Sequence, residues 1–386
     1  MTLVGPPASA APAAQSAPLA PPQLRPMRFE DYPAVQRLEA EHDLITRSTE
    51  EWTSFLVDNP LWSRVASHWP IGWVFETASG ALVGSVTNVP LLYHFEGRQR
   101  ICANGRAWVV AREYRAFALW LMDEYFNQPN VDLFVNTTVG PTAQETHTAL
   151  SARVPIGDWE SAAYWVTGYR GFARKALEKL HVPLPGVLAS PAALGLWLKD
   201  AVRSGRLPEA PRSVVVEETD HFDARFDTFW EALLRQRADT LLATRDRQTL
   251  TWHFAHPMRR GRLSIMTASR GGVMRAYVIL KRQDLSQDGL RRLRVVDYQT
   301  LESDVDLLPC LIRASLRRCA AEDVYLLEHF GCGLPKMRTF DQLAPYRSKV
   351  KSWAYFAHAT DPALNAALRR PEVWDPSMFD GDASFE

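Results

Sequence analysis

Thr77-Ala-Ser79 and Thr267-Ala-Ser269 stand 190 residues apart, and Asp132-Leu-Phe-Val and Asp323-Val-Tyr-Leu stand 191 apart. Upstream, a segment holding Trp and Pro (Trp62 to Pro70, then Trp252 to Pro257) leads in each case into a pair of β-rich runs, near 73–90 and 263–281. An offset that persists across several elements means two copies of one fold. At 386 residues the chain is long enough for two domains of ordinary size.

Hydrophobic periodicity gives the elements of each copy. The first opens with a short strand at Arg25 and a helix through Val35, Leu38 and His42, with Asp31 at the cap and Pro33 in the first turn. A helix over 49–59 follows, then strands 72–78 and 81–93 joined by a hairpin at Ser79-Gly80. Next come a strand 106–110, a helix carrying Phe117, Trp120, Leu121 and Tyr125, a strand 131–136, a helix 141–152 and a last strand 161–167. The second copy has a strand 213–218, helices 223–236 and 247–256, three strands up to Tyr298, a helix 306–321, and strands 324–329 and 350–357. Three consecutive strands, then strands reached through helices, predict an α/β fold with a mixed sheet of α+β type. The expected division is a disordered Ala/Pro-rich tail (1–23), a first domain (24–185), a helical connector (186–210), a second domain (211–360) and a C-terminal extension (361–386) docked by Trp374 and Phe379.

Composition narrows the function. Lys+Arg and Asp+Glu are both 44, so no net charge draws the chain to nucleic acid. The four cysteines form no C-x-x-C pair and suit reduced thiols in the cytoplasm. The tail lacks a signal peptide's basic start and apolar core, and no run is long and apolar enough for a membrane span. The thirteen tryptophans suit a packed core or an apolar substrate tunnel. The apolar run 187–198 either packs between domains or lies against a membrane surface. His253-x-x-His256 has no third ligand in view, so no metal is expected. No Gly-x-Ser-x-Gly or Walker loop is present.

The chemistry is expected at residues 104–126, where a strand runs straight into a helix. Such a junction leaves first-turn amides unpaired at the positive end of the helix dipole, a ready site for phosphate. The corresponding stretch of the second copy, 297–306, holds four acidic residues in ten and would repel a diphosphate. There the carboxylates either cap the helix at Asp306 or receive a cationic amine.

The turn Glu113-Tyr-Arg-Ala-Phe-Ala118 resembles the pyrophosphate-binding loop of the GNAT acyltransferase superfamily, in which Gln/Arg-x-x-Gly-x-Gly/Ala opens a helix. Tyr114-Arg115 and Ala118 match; Glu113 replaces Gln or Arg, and Ala116 replaces the first glycine. The order of elements in each copy is also similar to the GNAT order. The resemblance implies two GNAT-like domains in tandem, with acyl-CoA as co-substrate and no permanently bound cofactor. Val109, Val110, Tyr114, Arg115, Ala116, Phe117 and Ala118 would bind acyl-CoA in the first domain, and backbone amides of 106–110 would polarise the thioester. An amine acceptor needs a base. Glu328-His329, at the place matching Asn136, is the candidate acid/base pair; a backbone-bonded histidine is the competing reading. Asn136 would orient the acceptor or simply close a strand-end turn. Asn104 and Arg106 precede the loop, and Glu145 and His147 face either the cleft or solvent.

Tandem GNAT-like chains include the Fem-type aminoacyltransferases, envelope acyltransferases and bacterial ceramide synthases. The aromatic content and apolar connector favour the last: N-acylation, with a long chain, of a sphingoid base such as 3-oxosphinganine. The acceptor would be lipidic and the protein cytoplasmic, with peripheral contact at the inner membrane. An amino sugar or polysaccharide precursor is the enzymatic alternative, and a catalytically silent double-GNAT scaffold the non-enzymatic one.

Overall fold

A computed structural model describes residues 20–157, 159–203, 207, 209–284, 289–331, 338–349 and 353–385. Residues 1–19 of the expected tail lie outside the described residues. The first half runs β1 (Gln23–Pro26), α1 (Tyr32–Glu41), α2 (Thr49–Val57), α3 (Trp62–Val65), β2 (Gly72–Glu76), β3 (Leu82–Phe95), β4 (Arg98–Val110), α4 (Ala118–Phe126), β5 (Leu133–Val139), α5 (Pro141–Leu150), β6 (Ala152–Arg153) and β7 (Ser161–Val166). Two helices, α6 (Tyr169–Lys179) and α7 (Pro185–Arg203), follow as a hairpin, the second within the stretch expected as a helical connector. The second half runs β8 (Val214–Thr219), α8 (Ala224–Gln236), β9 (Leu242–Ala243), α9 (Arg247–His253), α10 (Ala255–Arg259), β10 (Leu263–Arg270), β11 (Val273–Arg282), β12 (Arg292–Thr300), α11 (Leu308–Ala321), β13 (Leu326–Phe330), α12 (Arg338–Leu343), β14 (Tyr346–Lys349) and β15 (Ala354–Ala359). α13 (Pro362–Ala367) and three short 3-10 turns make up the tail.

Local chemistry accounts for several boundaries. α2 starts at a capping box: Glu51 N donates to Ser48 Oγ at 3.1 Å, and Ser48 N donates to the Glu51 carboxylate at 3.3 Å. Asp223 caps α8 and Asp246 caps α9 through side-chain oxygens. Asp31 stands at the cap position of α1 but turns its carboxylate to Arg25, 2.7 Å away, and does not cap the helix. No side chain of the acidic run 297–306 caps α11. Asp304 is buried between Arg270 (2.7 Å) and Arg275 (2.8 Å), and the residue at the α11 cap is Leu307. Arginines on β10 and β11 neutralise the carboxylate from the side.

The strands form two mixed sheets, ordered β1-β2-β3-β4-β5-β15-β6 and β14-β7-β13-β12-β11-β10-β8, with β9 on the far end of β3. The copies therefore exchange strands. β7, in the first half by sequence, lies antiparallel between β13 and β14; β15, in the second half, lies antiparallel between β5 and β6. Both strands are buried over nearly their whole length, so each needs an interior position with partners on both edges. A run of buried apolar residues says that such a slot is needed but not which sheet supplies it. The exchange locks the halves together, and the largest apolar cluster extends from Met27 and Tyr32 to Phe379 and Phe385 without a break between them.

Candidate active site

β4 and β5 pair in parallel over only three positions, Cys102 to Asn104 against Leu133 to Val135. Both strands continue, but apart. The cause lies in β4: its register against β3 slips between Arg106 and Val109, and Ala107 takes φ +54°, a bulge that bends the strand away from β5. β5 meanwhile follows β15 on its other edge. The wedge between them is a cavity of about 440 Å³. One wall is the bulged strand, Gly105 to Val109; the other is Asn136, Thr138 and Val139 with His147 from α5; Trp353 and the tail residues Asp382 and Ala383 close it.

Glycine at 105 keeps the wedge's apex open. A Cβ there would lie 2.6 Å from Asn136 Oδ1 and 3.1 Å from the Tyr125 ring. The amide of Gly105 donates to the Tyr125 hydroxyl at 2.9 Å, and that hydroxyl donates to Ala103 O at 2.9 Å. Beyond Asn104, no residue of β5 pairs with the facing edge of β4, so that main-chain edge borders the cavity. Asn136 is buried, and its Nδ2 makes no hydrogen bond.

Three ionisable groups give the cavity its polarity. Arg106 is buried, 3.6 Å from the Glu39 carboxylate, and donates to Ile45 O at 2.9 Å. His147 is buried against Phe356 and Trp108, and burial pushes its pKa down to about 4, so the ring is neutral at neutral pH. Its Nδ1 has no hydrogen-bond partner. The Asp382 carboxylate accepts from the Thr137 hydroxyl at 2.6 Å and from the Thr138 hydroxyl, which aims it from the tail into the wedge.

The tail that carries Asp382 is held from both halves. Asp380 pairs with the fully buried Arg245 at 2.9 Å, and Arg245 in turn pairs with Asp297 of β12 at 3.0 Å. Tyr93 of β3 donates to Asp380 O at 2.5 Å, His253 meets Ser384 Oγ at 2.5 Å, and Lys281 donates to Ser384 O at 3.1 Å. Arg47 donates to Phe385 O. Trp374 and Phe379 are buried beneath these contacts.

The residues singled out in the sequence are scattered by this geometry. Val109 lines the cavity; Val110 is buried beside it in the core cluster under α4. Tyr114, Phe117 and Ala118 are half-buried against that cluster, whereas Arg115 and Ala116 are exposed at the turn. A 3-10 turn, Arg112–Phe117, joins β4 to α4, and no side chain caps it or the helix. Glu145 is exposed on the outer side of α5, while His147 two residues on faces the cavity.

Glu328 and His329 do not join Asn136. They lie on β13 in the second sheet, outside the cavity lining. Glu328 is buried 2.9 Å from Arg294 and 3.3 Å from Arg292, and His329 is stacked on Phe340 with centroids 4.7 Å apart. Two arginines of the adjacent strand hold that carboxylate in an ion pair. Asp382, which the sequence did not single out, lines the cavity with Asn136; its only signal was an acidic Asp380-Gly-Asp382 set among apolar tail residues.

His253 and His256 do not share a ligand: His253 bonds Ser384, and His256 pairs with Glu51 at 3.0 Å. Among the described residues no three His, Cys, Asp or Glu side chains are grouped to hold a metal ion. Cys102, Cys310 and Cys319 are buried free thiols, and Cys332 lies outside the described residues.

No protein-family model matches the chain, and no curated protein sequence does. Solved structures do match its three-dimensional form. Saccharomyces cerevisiae N-myristoyltransferase with bound myristoyl-CoA superposes with a TM-score of 0.54 at 11% identity, over 93% of this chain and 86% of that one. A probable N-acyltransferase from Enterococcus faecalis V583 gives 0.53 at 11%, over 88% and 72%. A GCN5-related N-acetyltransferase from Anabaena variabilis ATCC 29413 gives 0.51 at 11%, over 88% and 73%. At such identities the likeness is one of fold, and the chain has the mixed α/β fold of these N-acyltransferases, in a tandem GNAT-like arrangement.

Proposed function

We propose that this protein is an acyl-CoA-dependent N-acyltransferase working in the wedge between β4 and β5. The observation that carries the reading is the wedge itself: a main-chain edge on β4 that β5 leaves beyond Asn104, with a carboxylate, Asp382, held by two hydroxyls in the same cavity. The acyl-pantetheine arm lies along that edge as an added strand would, and its diphosphate rests on the uncapped amides of the 3-10 turn, Arg112–Phe117, beside the exposed Arg115. Amides of the bulged segment bond the thioester oxygen as charge develops on it. The amine nitrogen attacks the carbonyl carbon, the C–S bond breaks, and the Asp382 carboxylate takes the amine's proton and returns it to the departing thiolate. His147, neutral and with Nδ1 unbonded, orients the amine together with Asn136.

The acceptor in this reading is a lipidic amine, a sphingoid base such as 3-oxosphinganine, and the acyl chain is long. What supports it is the apolar and aromatic lining (Leu44, Val86, Trp108, Met122 and Trp353) and the exposed apolar hairpin beyond α6. The discriminating experiment incubates the protein with palmitoyl-CoA and either a sphingoid base or an amino sugar, with products read by mass spectrometry. An amide of the sphingoid base is expected. Exclusive acylation of the sugar would replace the acceptor, and no acyl-CoA binding at all would leave a scaffold. Asp382→Asn should lower kcat about a hundredfold or more with acyl-CoA affinity kept; unchanged turnover would remove Asp382 from the mechanism.

A further inference from the structure

Among the described residues, seven of the thirteen large apolar side chains that stand exposed lie between Leu180 and Leu198, on the hairpin of α6 and α7. They form one ridge. Val187, Leu194 and Leu198 recur at helical spacing along the outer side of α7, with Trp197 and Leu188 flanking them. From Leu180 to Leu198 no Asp, Glu, Lys or Arg occurs. The ridge is not a loosely attached helix turned the wrong way round. Ala189 and Asp200 on the inner side are buried, and the Asp200 carboxylate accepts from the Tyr169 hydroxyl of α6 at 3.0 Å and the Tyr346 hydroxyl of β14 at 2.6 Å. Docking of that inner face leaves Val187, at 70% exposed, and Leu194, at 56%, directed to the outside. A contiguous apolar patch held in this way marks an interaction site.

The charge around the ridge selects its occupant. α6 carries Arg170, Arg174, Lys175 and Lys179 against one acid, Glu178, α7 carries Lys199 and the enclosed Asp200, and the edge strand β14 adds the exposed Arg347 and Lys349. A basic border repels a second copy of the same ridge and attracts anionic headgroups. No described helix is long and apolar enough to cross a membrane, so the apolar face of α7 suits lying along a surface and not spanning a bilayer.

We propose that the α6–α7 hairpin docks the protein on anionic membranes, with the α7 ridge inserted at the headgroup boundary and the basic residues on lipid phosphates. The proposal rests on the lipid-acceptor reading for its purpose only; its observations are independent of the catalytic wedge. Co-sedimentation of the full chain with vesicles of phosphatidylcholine alone, and of phosphatidylcholine with phosphatidylglycerol, tests it. Wild type should partition at least about tenfold better onto the anionic vesicles, and added salt should weaken this. Leu194→Glu with Leu198→Glu should lower the partitioning about tenfold or more, with melting temperature and elution volume unchanged. Equal partitioning of wild type onto both vesicle types, or of variant and wild type onto the anionic ones, would overturn the proposal. So would a wild-type dimer that the double variant dissolves, because the ridge would then be a contact between copies. Acyl transfer to a soluble amine is read separately, and its loss would count against the wedge and not against the hairpin.

Discussion

Arg245→Met is the substitution that tests most directly how the tail holds Asp382 in place. Arg245 is fully buried and spends its donors on Asp297 (3.0 Å), Asp380 (2.9 Å), Ser377 Oγ (3.2 Å) and Ala243 O (2.9 Å). Burial alone would favour its neutral form, but Asp297 and Asp380 outweigh this and hold the guanidinium charged, its pKa well above the ordinary value. Methionine fills a similar volume but removes the guanidinium that pairs two buried carboxylates; donors from Ser377 and Tyr277 stay in place. Breaking a buried pair in this way costs about 3–5 kcal/mol, a large share of the roughly 5–15 kcal/mol that holds a domain folded. The sign of the pH dependence follows. Unpaired buried carboxylates bind protons more tightly in the folded variant than in the unfolded chain, so the variant recovers stability as the pH falls. Urea denaturation of variant and wild type at neutral and at mildly acid pH measures both effects. A loss below about 1 kcal/mol at neutral pH, or a loss that does not shrink on acidification, would refute the reasoning. Adding Asp297→Asn and Asp380→Asn to the variant should restore part of the stability.

Other consequences are open to equally direct tests. Burial holds His147 at about 4 against an ordinary 6.5, so this residue leaves stability flat above pH 6.5 and lowers it as the pH falls toward 4, by about 3 kcal/mol in full. The difference between wild type and His147→Phe isolates that slope from the other buried histidines, His253 and His329; parallel curves would show that His147 is not buried. Gly105→Ala should weaken acyl-CoA binding and cost about 1–3 kcal/mol, because its Cβ meets Asn136 Oδ1 at 2.6 Å. Calorimetric titration with palmitoyl-CoA reads this, and unchanged affinity would mean that the donor lies elsewhere. Gly381→Ala places a Cβ 2.5 Å from Thr137 Cγ2 and should displace the neighbouring Asp382, lowering kcat more than it raises KM; an unchanged kcat would free Asp382 of a catalytic role.

Local pattern carried the sequence a long way. Strands 72–76, 82–95 and 263–270, the helices that begin after Asp223 and Asp246, and the meander of three strands in each half are near-neighbour features, set by alternation, turn residues and side chains a few positions away. The repeat needed no contacts to be seen, because two copies of one fold preserve the spacing of their elements. What lay outside the reach of the sequence depends on edges and on distance. The apolar runs at β7 and β15 call for interior slots, yet only the folded sheets decide that each run fills the other half's slot. The aligned position of Glu328 suggested a cleft residue, but Arg292 and Arg294 from the adjacent strand take up its charge. Asp382 reaches the wedge because Arg245, some 137 residues earlier in the chain, anchors the tail through Asp380. Amphipathic periodicity is written by residues within two turns of one another, whereas strand partners, buried ion pairs and the lining of a cleft are chosen by whole surfaces competing to be covered; that competition exists only once the chain has folded.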